Sequence, residues 1–257
     1  RNYVASKQFA DMLLNIGNGD IGDANGMISV SDTLGVAVNS VEHLIDEIYP
    51  NIESSDAIND SWLCERAILA PTNEEVMYIN DAIIQRYNGQ ESVYSSIDTV
   101  CEQDDAVHYP TEFLRRFLNS IIAPGLPPHK LKLKLGAPIM LLRNLNAPKL
   151  CNGTRLRIKA LHKYLIEAII LTGCGKGESV LIPRIPLIPS NYPFQFKRLQ
   201  FPITLCYAMT INKSQGQTLS VAGINLRTNC FAHGQLYVAC SRVKAINIYL
   251  YMLQIKL

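Results

Sequence analysis

Tyr207-Ala-Met-Thr-Ile-Asn-Lys-Ser-Gln-Gly-Gln-Thr218 is the stretch on which the fold turns. It carries an apolar, strand-like run, Phe201 to Ala208, directly into hydroxyl, amide and ammonium donors at Thr210, Asn212, Lys213, Ser214 and Gln215, with Gly216 and Gln217 behind them. A strand that delivers donors where a helix should start suits the phosphates of a nucleotide or of a nucleic-acid backbone. A polar loop carrying a helix cap has the same composition, and these residues alone leave both readings open.

Upstream, Arg66 to Leu69 reads as a short buried strand stopped by Ala70-Pro71-Thr72-Asn73. Thr72 or Asn73 can cap the helix that follows, where Val76, Ile79, Ala82 and Ile83 recur at helical spacing. Strand, polar turn and helix make half of an α/β unit, which can carry a ligand at its turn. Downstream, Val221 to Leu226, Leu236 to Cys240 and Ile246 to Leu253 form a last α/β section. Within it Gly234-Gln-Leu-Tyr-Val-Ala-Cys-Ser-Arg-Val243 sets Arg242 just after a buried apolar stretch. A guanidinium there could stabilise charge on a transferred γ-phosphoryl group, although an isolated arginine at an element end is more commonly a surface residue.

Between these sections the pattern changes. Residues 88 to 128 read as a long polar excursion with a helix near Thr111 to Ile122, ended by Pro124-Gly-Leu-Pro-Pro128. Leu131, Leu133 and Leu135 then alternate with Lys130, Lys132 and Lys134. After an Asn152-Gly153 turn, Leu156, Ile158 and Ala160 oppose Arg155, Arg157 and Lys159. Tyr164 to Leu171 and Ser179 to Pro183 add strands. The expectation for 130–200 is a small antiparallel barrel or sheet with one basic face, inserted into a parallel-sheet domain made of 63–129 and 201–257. Residues 1–62 are expected to be a connecting helical and loop region. Phe9, Met12, Leu13 and Ile16 fall at helical spacing before Gly17, Gly19 and Gly22, and a second helix runs from Ser40 to Ile48.

The chain has 257 residues, of which 48% are hydrophobic and 18% charged, and this excludes a disordered or fibrous protein. Its longest apolar stretches, Pro138 to Leu142 and Ile166 to Leu171, are far shorter than a membrane span. The net charge of +2 conceals an asymmetry. Arg1 to Glu112 holds 20 acidic and 4 basic residues, whereas Phe113 to Leu257 holds 2 acidic and 20 basic ones. The second part therefore suggests a polyanion-facing surface, with a solvated basic surface as the alternative reading of the same residues. Seven cysteines, an odd number with no CxxC pair, point away from a disulfide framework or a zinc site and toward a reducing compartment. The chain starts at Arg1 without the run of a signal peptide and reads as a piece of something longer.

Five ordered segments carry a resemblance: Leu69-Ala-Pro-Thr-Asn-Glu-Glu-Val76, Leu135-Gly-Ala-Pro-Ile-Met-Leu-Leu-Arg-Asn-Leu-Asn146, Cys151-Asn-Gly-Thr-Arg-Leu156, Ala208 to Thr218, and Tyr237-Val-Ala-Cys-Ser-Arg-Val243. From about Phe9 to Met252 the chain resembles the C-terminal part of Pif-type DNA helicases of superfamily one, and most of all those encoded by eukaryotic Helitron transposons. The resemblance implies an α/β fold: a second RecA-like parallel-sheet domain with an inserted Src-homology-3-like β-barrel. It implies that Thr210 to Thr218 is the motif that contacts the nucleic-acid backbone and couples it to nucleotide, with Thr210, Asn212, Lys213, Ser214 and Gln215 facing DNA and Gly216 and Gln217 facing ATP. Arg242 would be the catalytic arginine that reaches the γ-phosphate, and Thr72 and Asn73 further backbone contacts. Cys240 departs from the larger aliphatic residue usual in the family and is expected to be tolerated as a small buried apolar group.

An ATPase of this kind also needs a GxxxxGK[ST] loop and a carboxylate pair for Mg²⁺. Gly173-Cys-Gly-Lys-Gly177 has Gly177 where Ser or Thr is required and reads as a hairpin turn. Leu44-Ile-Asp-Glu47 lies on an amphipathic helix with Asp46 and Glu47 on its wet side. The chain is thus expected to supply one wall of an ATP·Mg²⁺ site, the metal being held mainly by a RecA-like domain that would precede Arg1, and to be inactive alone. The resemblance further implies 5′-to-3′ polarity, single-stranded DNA and DNA junctions as partners, and a monomer in the nucleus or, alternatively, the mitochondrion. It also implies roles in DNA repair, recombination and telomere maintenance. The competing expectation is a catalytically inactive nucleic-acid-binding remnant of a transposon-derived helicase.

Overall fold

The structure is a computed structural model that describes residues 10–15, 17–18, 20, 35–54, 58–100, 111–189, 194–228, 234–243 and 248–252, with side chains described outside 111–113 and 248–252. Phe9 and Ile16 of the first expected helix, Gly19 and Gly22 after it, and Cys101 and Cys230 lie outside the described residues. The chain divides into two compact units, Arg1–Asn88 with Tyr207–Leu257, and Gly89–Cys206. Compactness thus sets the borders at 88/89 and 206/207, whereas the sequence pattern changes at 130 and 200.

The first unit begins with β1 (Val36–Val38), α1 (Val41–Ile48), α2 (Asp60–Cys64), β2 (Arg66–Ala70) and α3 (Asn73–Arg86). The second holds β3 (Ser92–Ser95), β4 (Ile97–Val100), α4 (Thr111–Ser120), β5 (Lys130–Leu133), β6 (Pro138–Leu141), β7 (Arg155–Leu161), β8 (Leu165–Ile170), β9 (Ser179–Pro183), β10 (Ile185–Leu187), β11 (Phe196–Gln200) and β12 (Ile203–Leu205). The chain then returns to the first unit with β13 (Ala208–Thr210), a 3-10 turn (Ile211–Ser214), β14 (Val221–Leu226), α5 (Gln235–Cys240) and β15 (Ile248–Met252).

In the first unit the five strands form one sheet in the order β1-β15-β14-β2-β13, every pair parallel. Parallel strands are covered on both faces and so are written as continuous apolar runs; in β2, Ala67 to Ala70 are fully buried. Helix α1 covers β14 with Val41, Leu44, Ile45 and Ile48, and Ser40 caps it by accepting from the His43 amide at 3.0 Å. Burying each of these side chains is worth roughly 1.5–3 kcal/mol. The close approach requires Gly223, because a Cβ there would lie 2.8 Å from Ile48 Cγ1. Asp46 and Glu47 are exposed on the far side of α1, as expected for an ordinary amphipathic helix.

The second unit is antiparallel throughout: a five-stranded sheet β12-β6-β7-β8-β9, a three-stranded sheet β10-β11-β4 and the pair β3-β5. Three sequence expectations need correction here. The polar excursion of 88–128 contains two strands, β3 and β4; β4 pairs with β11, placing Val100 opposite Phe196, and local periodicity holds no sign of so distant a partner. The Leu/Lys alternation stops at Leu133, where the chain turns through Leu135-Gly136, so Lys134 is buried while Leu135 is 55% exposed. Arg155, assigned to a basic face with Arg157 and Lys159, is 1% exposed, and its Nε donates to Cys206 Sγ at 3.1 Å. Gly173 to Gly177 does form the β8–β9 turn, closed by the Gly177 amide on the Ile170 carbonyl at 2.8 Å.

A buried ion pair organises this unit. The side chains of Arg198 and Asp98 are both fully buried, with Nη2 2.7 Å from Oδ2 and Nε 3.0 Å from Oδ1. The other guanidinium hydrogens go to the carbonyls of Leu118, Ile121 and Pro127 at 2.7–3.2 Å, at and beyond the end of α4. Cations suit these orphan carbonyls at a helix C-terminus. Ser96 Oγ donates to Asp98 at 2.6 Å and lies 2.8 Å from His129 Nδ1. Burial holds the His129 imidazole below its usual range; Asp98 opposes this, while Arg198 and Lys130 add to it.

Candidate functional site

In open parallel sheets, ligands gather at the carboxyl ends of the strands. Here the register puts Thr210 opposite Ala70, and Ile224 opposite Leu69. The Pro71-Thr72-Asn73 turn therefore leaves β2 between the end of β13 on one flank and Asn225-Leu226 on the other. Thr72 caps α3, its Oγ1 accepting from the Glu75 amide at 3.4 Å, and Asn73 is the first helical residue. Both are half-buried.

After Thr210 the expected helix does not form. One 3-10 turn is followed by Gln215-Gly216, where Gly216 takes φ +79°. That left-handed conformation ends helical geometry and is cheap only for glycine. Asn212 and Gln215 are exposed, and Thr210 and Lys213 half-buried. Ser214 is fully buried, with its hydroxyl donating to the Ile211 carbonyl at 2.7 Å, so its side chain faces inward. Gln217 is half-buried, and its Oε1 is enclosed without a hydrogen bond from the described residues.

The segment that starts at the carboxyl ends finishes at the other end of the sheet. Leu219 bridges to Val243, its amide donating to the Arg242 carbonyl at 2.9 Å, and Val221 lies opposite Arg66. From the level of Ala70 to that of Arg66 is four strand steps, or roughly 13 Å. Thr72, Asn73, Thr210, Asn212 and Lys213 thus gather toward one end, while Leu219 reaches Arg242 at the other; Gly216, Gln217 and Thr218 lie on the path between. The 3-10 turn also packs on α5. Arg242 is half-buried and folded back on its helix: Nε donates to the Val238 carbonyl at 3.1 Å and Nη2 to Ser241 Oγ at 2.8 Å.

Two side chains at this end escaped the sequence reading. Asn80, 4% exposed, bonds the backbone of edge strand β13 in both senses: its Nδ2 donates to the Ala208 carbonyl at 3.0 Å and its Oδ1 accepts from the Ala208 amide at 2.9 Å. Its signal was a polar residue inside the apolar stripe Val76, Ile79, Ile83. Glu75 accepts from Asn225 Nδ2 at 2.9 Å and from Thr228 Oγ1 at 3.2 Å. Its signal was the Thr72-x-x-Glu75 spacing of a capping box. Among the described residues no group of three or more His, Cys, Asp or Glu could hold a metal ion, and no helix is long and apolar enough to cross a membrane.

Residues 116–161 match the family of the DNA helicase Pif1 2B domain. The ATP-dependent DNA helicase PIF6 of Trypanosoma brucei brucei is 30% identical over 169 residues, 57% of this chain and 21% of that protein. Human ATP-dependent DNA helicase PIF1 is 38% identical over 120 residues, 45% of this chain and 18% of that protein. The fold is shared with a Pif1 helicase from Bacteroides in complex with ADP-AlF3 and ssDNA, at TM-score 0.59 and 23% identity over 94% of this chain and 48% of that one. The chain is similar to the C-terminal portion of Pif-type DNA helicases. The Pif-type match thus spans about a fifth of the curated relatives and about half of the solved chain. Within the second unit, the Pif1 2B match covers β5, β6 and β7 and the second half of α4.

Proposed function

We propose that this chain is the second motor portion of an ATP-dependent DNA helicase that binds single-stranded DNA and moves along it 5′ to 3′. Its RecA-like domain is the parallel-sheet unit, which takes in β1 and α1 as well as 63–88 and 207–257, and its Src-homology-3-like insertion, 130–200, lies within the antiparallel unit 89–206; the region before β1 is the connection to a preceding RecA-like domain. The observation that carries the reading is the path of Thr210 to Leu219. It begins beside Thr72 and Asn73 at the carboxyl ends of β2 and β13 and finishes hydrogen-bonded to Arg242. A single short segment can then report backbone contact at one end to the nucleotide-facing arginine at the other.

In this reading Thr72, Asn73, Thr210, Asn212, Lys213 and Gln215 hold the DNA backbone with donors, a mode that tolerates any sequence. Ser214 contributes by fixing the turn from inside, since its hydroxyl is committed to Ile211. Gly216, Gln217 and Arg242 face the nucleotide. ATP with Mg²⁺, bound mainly by the preceding domain, supplies the phosphoryl group and the driving force. Arg242 must leave Val238 and Ser241 to offset charge on that group, which makes the finger responsive to closure of the two domains. Single-stranded DNA and junctions are the partners, the working unit is a monomer, and the site of action is the nucleus, in DNA repair, recombination and telomere maintenance; these attributes and the Helitron affinity rest on the sequence resemblance.

The test joins the chain to its preceding domain and compares wild type with Arg242→Ala. Loss of roughly 10³ in DNA-stimulated ATP turnover, with DNA affinity retained, is expected of an arginine finger. Unchanged turnover would remove Arg242 from catalysis.

A further inference from the structure

The Thr72-x-x-Glu75 spacing is that of a capping box, in which the glutamate reaches back to the cap residue of its own helix. Only half of the box is made here. Thr72 accepts from the Glu75 amide, but the Glu75 carboxylate crosses to the loop after β14, where each oxygen takes one donor, Asn225 Nδ2 and Thr228 Oγ1. Asn225 is itself fully buried and uses its Oδ1 to accept from the Arg227 amide at 3.1 Å, so the loop backbone is tied to the same carboxylate through one intermediate. On the opposite flank of β2, Asn80 clamps Ala208 in the manner of a neighbouring strand, satisfying its N–H and C=O on the edge of β13. Glu75 and Asn80 stand on one helix, five residues apart, and the first turn of that helix is the Thr72-Asn73 cap.

A carboxylate beside donors meant for phosphate is electrostatically unfavourable. Its retention makes sense only if what it holds is worth more than the repulsion it adds. We infer that Glu75 and Asn80 are positioning residues for the nucleic-acid site: through α3 they fix the spacing among the Thr72-Asn73 cap, the Thr210–Lys213 donors after β13, and the loop that begins at Arg227. The inference rests on the proposed function and deepens it by making the three loop starts a single rigid register, set by side chains that need not touch DNA themselves. Donors spaced for successive phosphates bind well only when that spacing is preset, because each misplaced donor must be reordered on binding.

The experiment uses the 257-residue chain and a fluorescent single-stranded oligothymidylate, titrated at several salt concentrations well below the unfolding temperature. Glu75→Ala removes the anchor, whereas Glu75→Gln keeps an acceptor for Asn225 and an amide that Thr228 Oγ1 can accept from, while removing the charge. A positioning role gives roughly tenfold weaker binding in Glu75→Ala and wild-type or tighter binding in Glu75→Gln. A carboxylate that only repels phosphate would make both variants bind more tightly, and a carboxylate that only stabilises the fold would lower the unfolding temperature of Glu75→Ala with no change in affinity; either result overturns the inference. Asn80→Asp, which keeps the acceptor for the Ala208 amide but turns a donor into a second acceptor against the Ala208 carbonyl, should weaken binding and lower the salt slope by about one phosphate contact. Lys213→Ala is the reference. If it weakens binding while both Glu75 variants and Asn80→Asp bind as wild type does, the positioning role fails and the function stands. If the wild-type chain binds no oligothymidylate, both fall.

Discussion

The carboxyl end of the parallel sheet and the Arg198 network of the antiparallel unit are both polar centres, yet they spend their hydrogen-bonding capacity in opposite ways. Arg198 uses its guanidinium entirely inside: three hydrogen bonds to Asp98 and three carbonyls at and beyond the end of α4, with no exposure at all. At the sheet end, Asn212 and Gln215 are exposed, whereas Glu75, Asn80, Ser214 and Asn225 are held in internal hydrogen bonds. Basic charge in the sequence is therefore a poor guide to where a polyanion sits. Of the 20 basic residues after Glu112, Lys134, Arg155 and Arg198 are buried, and Lys149 and Lys159 are paired with Glu178 and Glu167.

The sharpest way to break this comparison is to empty the internal centre. Arg198→Met leaves the Asp98 carboxylate buried without its cation and three carbonyls without donors, which should cost about 3–5 kcal/mol of stability. Denaturant unfolding measures it. Adding Asp98→Leu to the same chain should recover much of the loss, because two apolar groups no longer strand a charge. A single substitution that costs under about 1 kcal/mol would show that the network fills space without organising the unit.

The same contrast explains what the sequence could and could not reveal. Strands β2, β9 and β14, helix α1 and the polar turn at Thr72 are written in apolar runs, helical spacing and caps within a few residues, so periodicity and capping chemistry locate them. The pairing of Arg198 with Asp98 spans 100 residues, as does the ladder of β4 with β11, and neither leaves a local trace. Arg155 misled because alternation assigns a face but not a depth: at the start of β7 both Arg155 and Leu156 are buried. The stretch from Thr210 to Thr218 was legible as donors and illegible as shape. A helix was the natural continuation of strand and polar turn, but Gly216 in the left-handed region and the inward hydroxyl of Ser214 convert it into one tight turn.

Lys213→Ala tests the other side of the comparison. A half-buried lysine at the donor end should matter more to binding than to folding. Stability should stay within about 0.5 kcal/mol of wild type, while affinity for single-stranded DNA falls uniformly across sequences and the salt slope drops by about one. Equal salt slopes in variant and wild type would mean that Lys213 does not meet a phosphate.

The smallest expected effect lies in pH. Burial favours neutral His129 in the folded chain, against the pull of Asp98, so its folded value lies below that of the unfolded chain, which is about 6.5. A depressed value means that the unfolded state takes up the proton first. The contribution of His129 to stability is therefore complete above about pH 6.5 and is lost as pH falls from there through the folded value. His129→Gln keeps a side chain that can meet Ser96 Oγ but cannot charge, so its unfolding midpoint should fall less than that of wild type between about pH 7 and pH 5. Parallel curves for the two proteins would show that the imidazole titrates equally in both states, and that the internal centre shields Arg198 and Asp98 without extending its reach to His129.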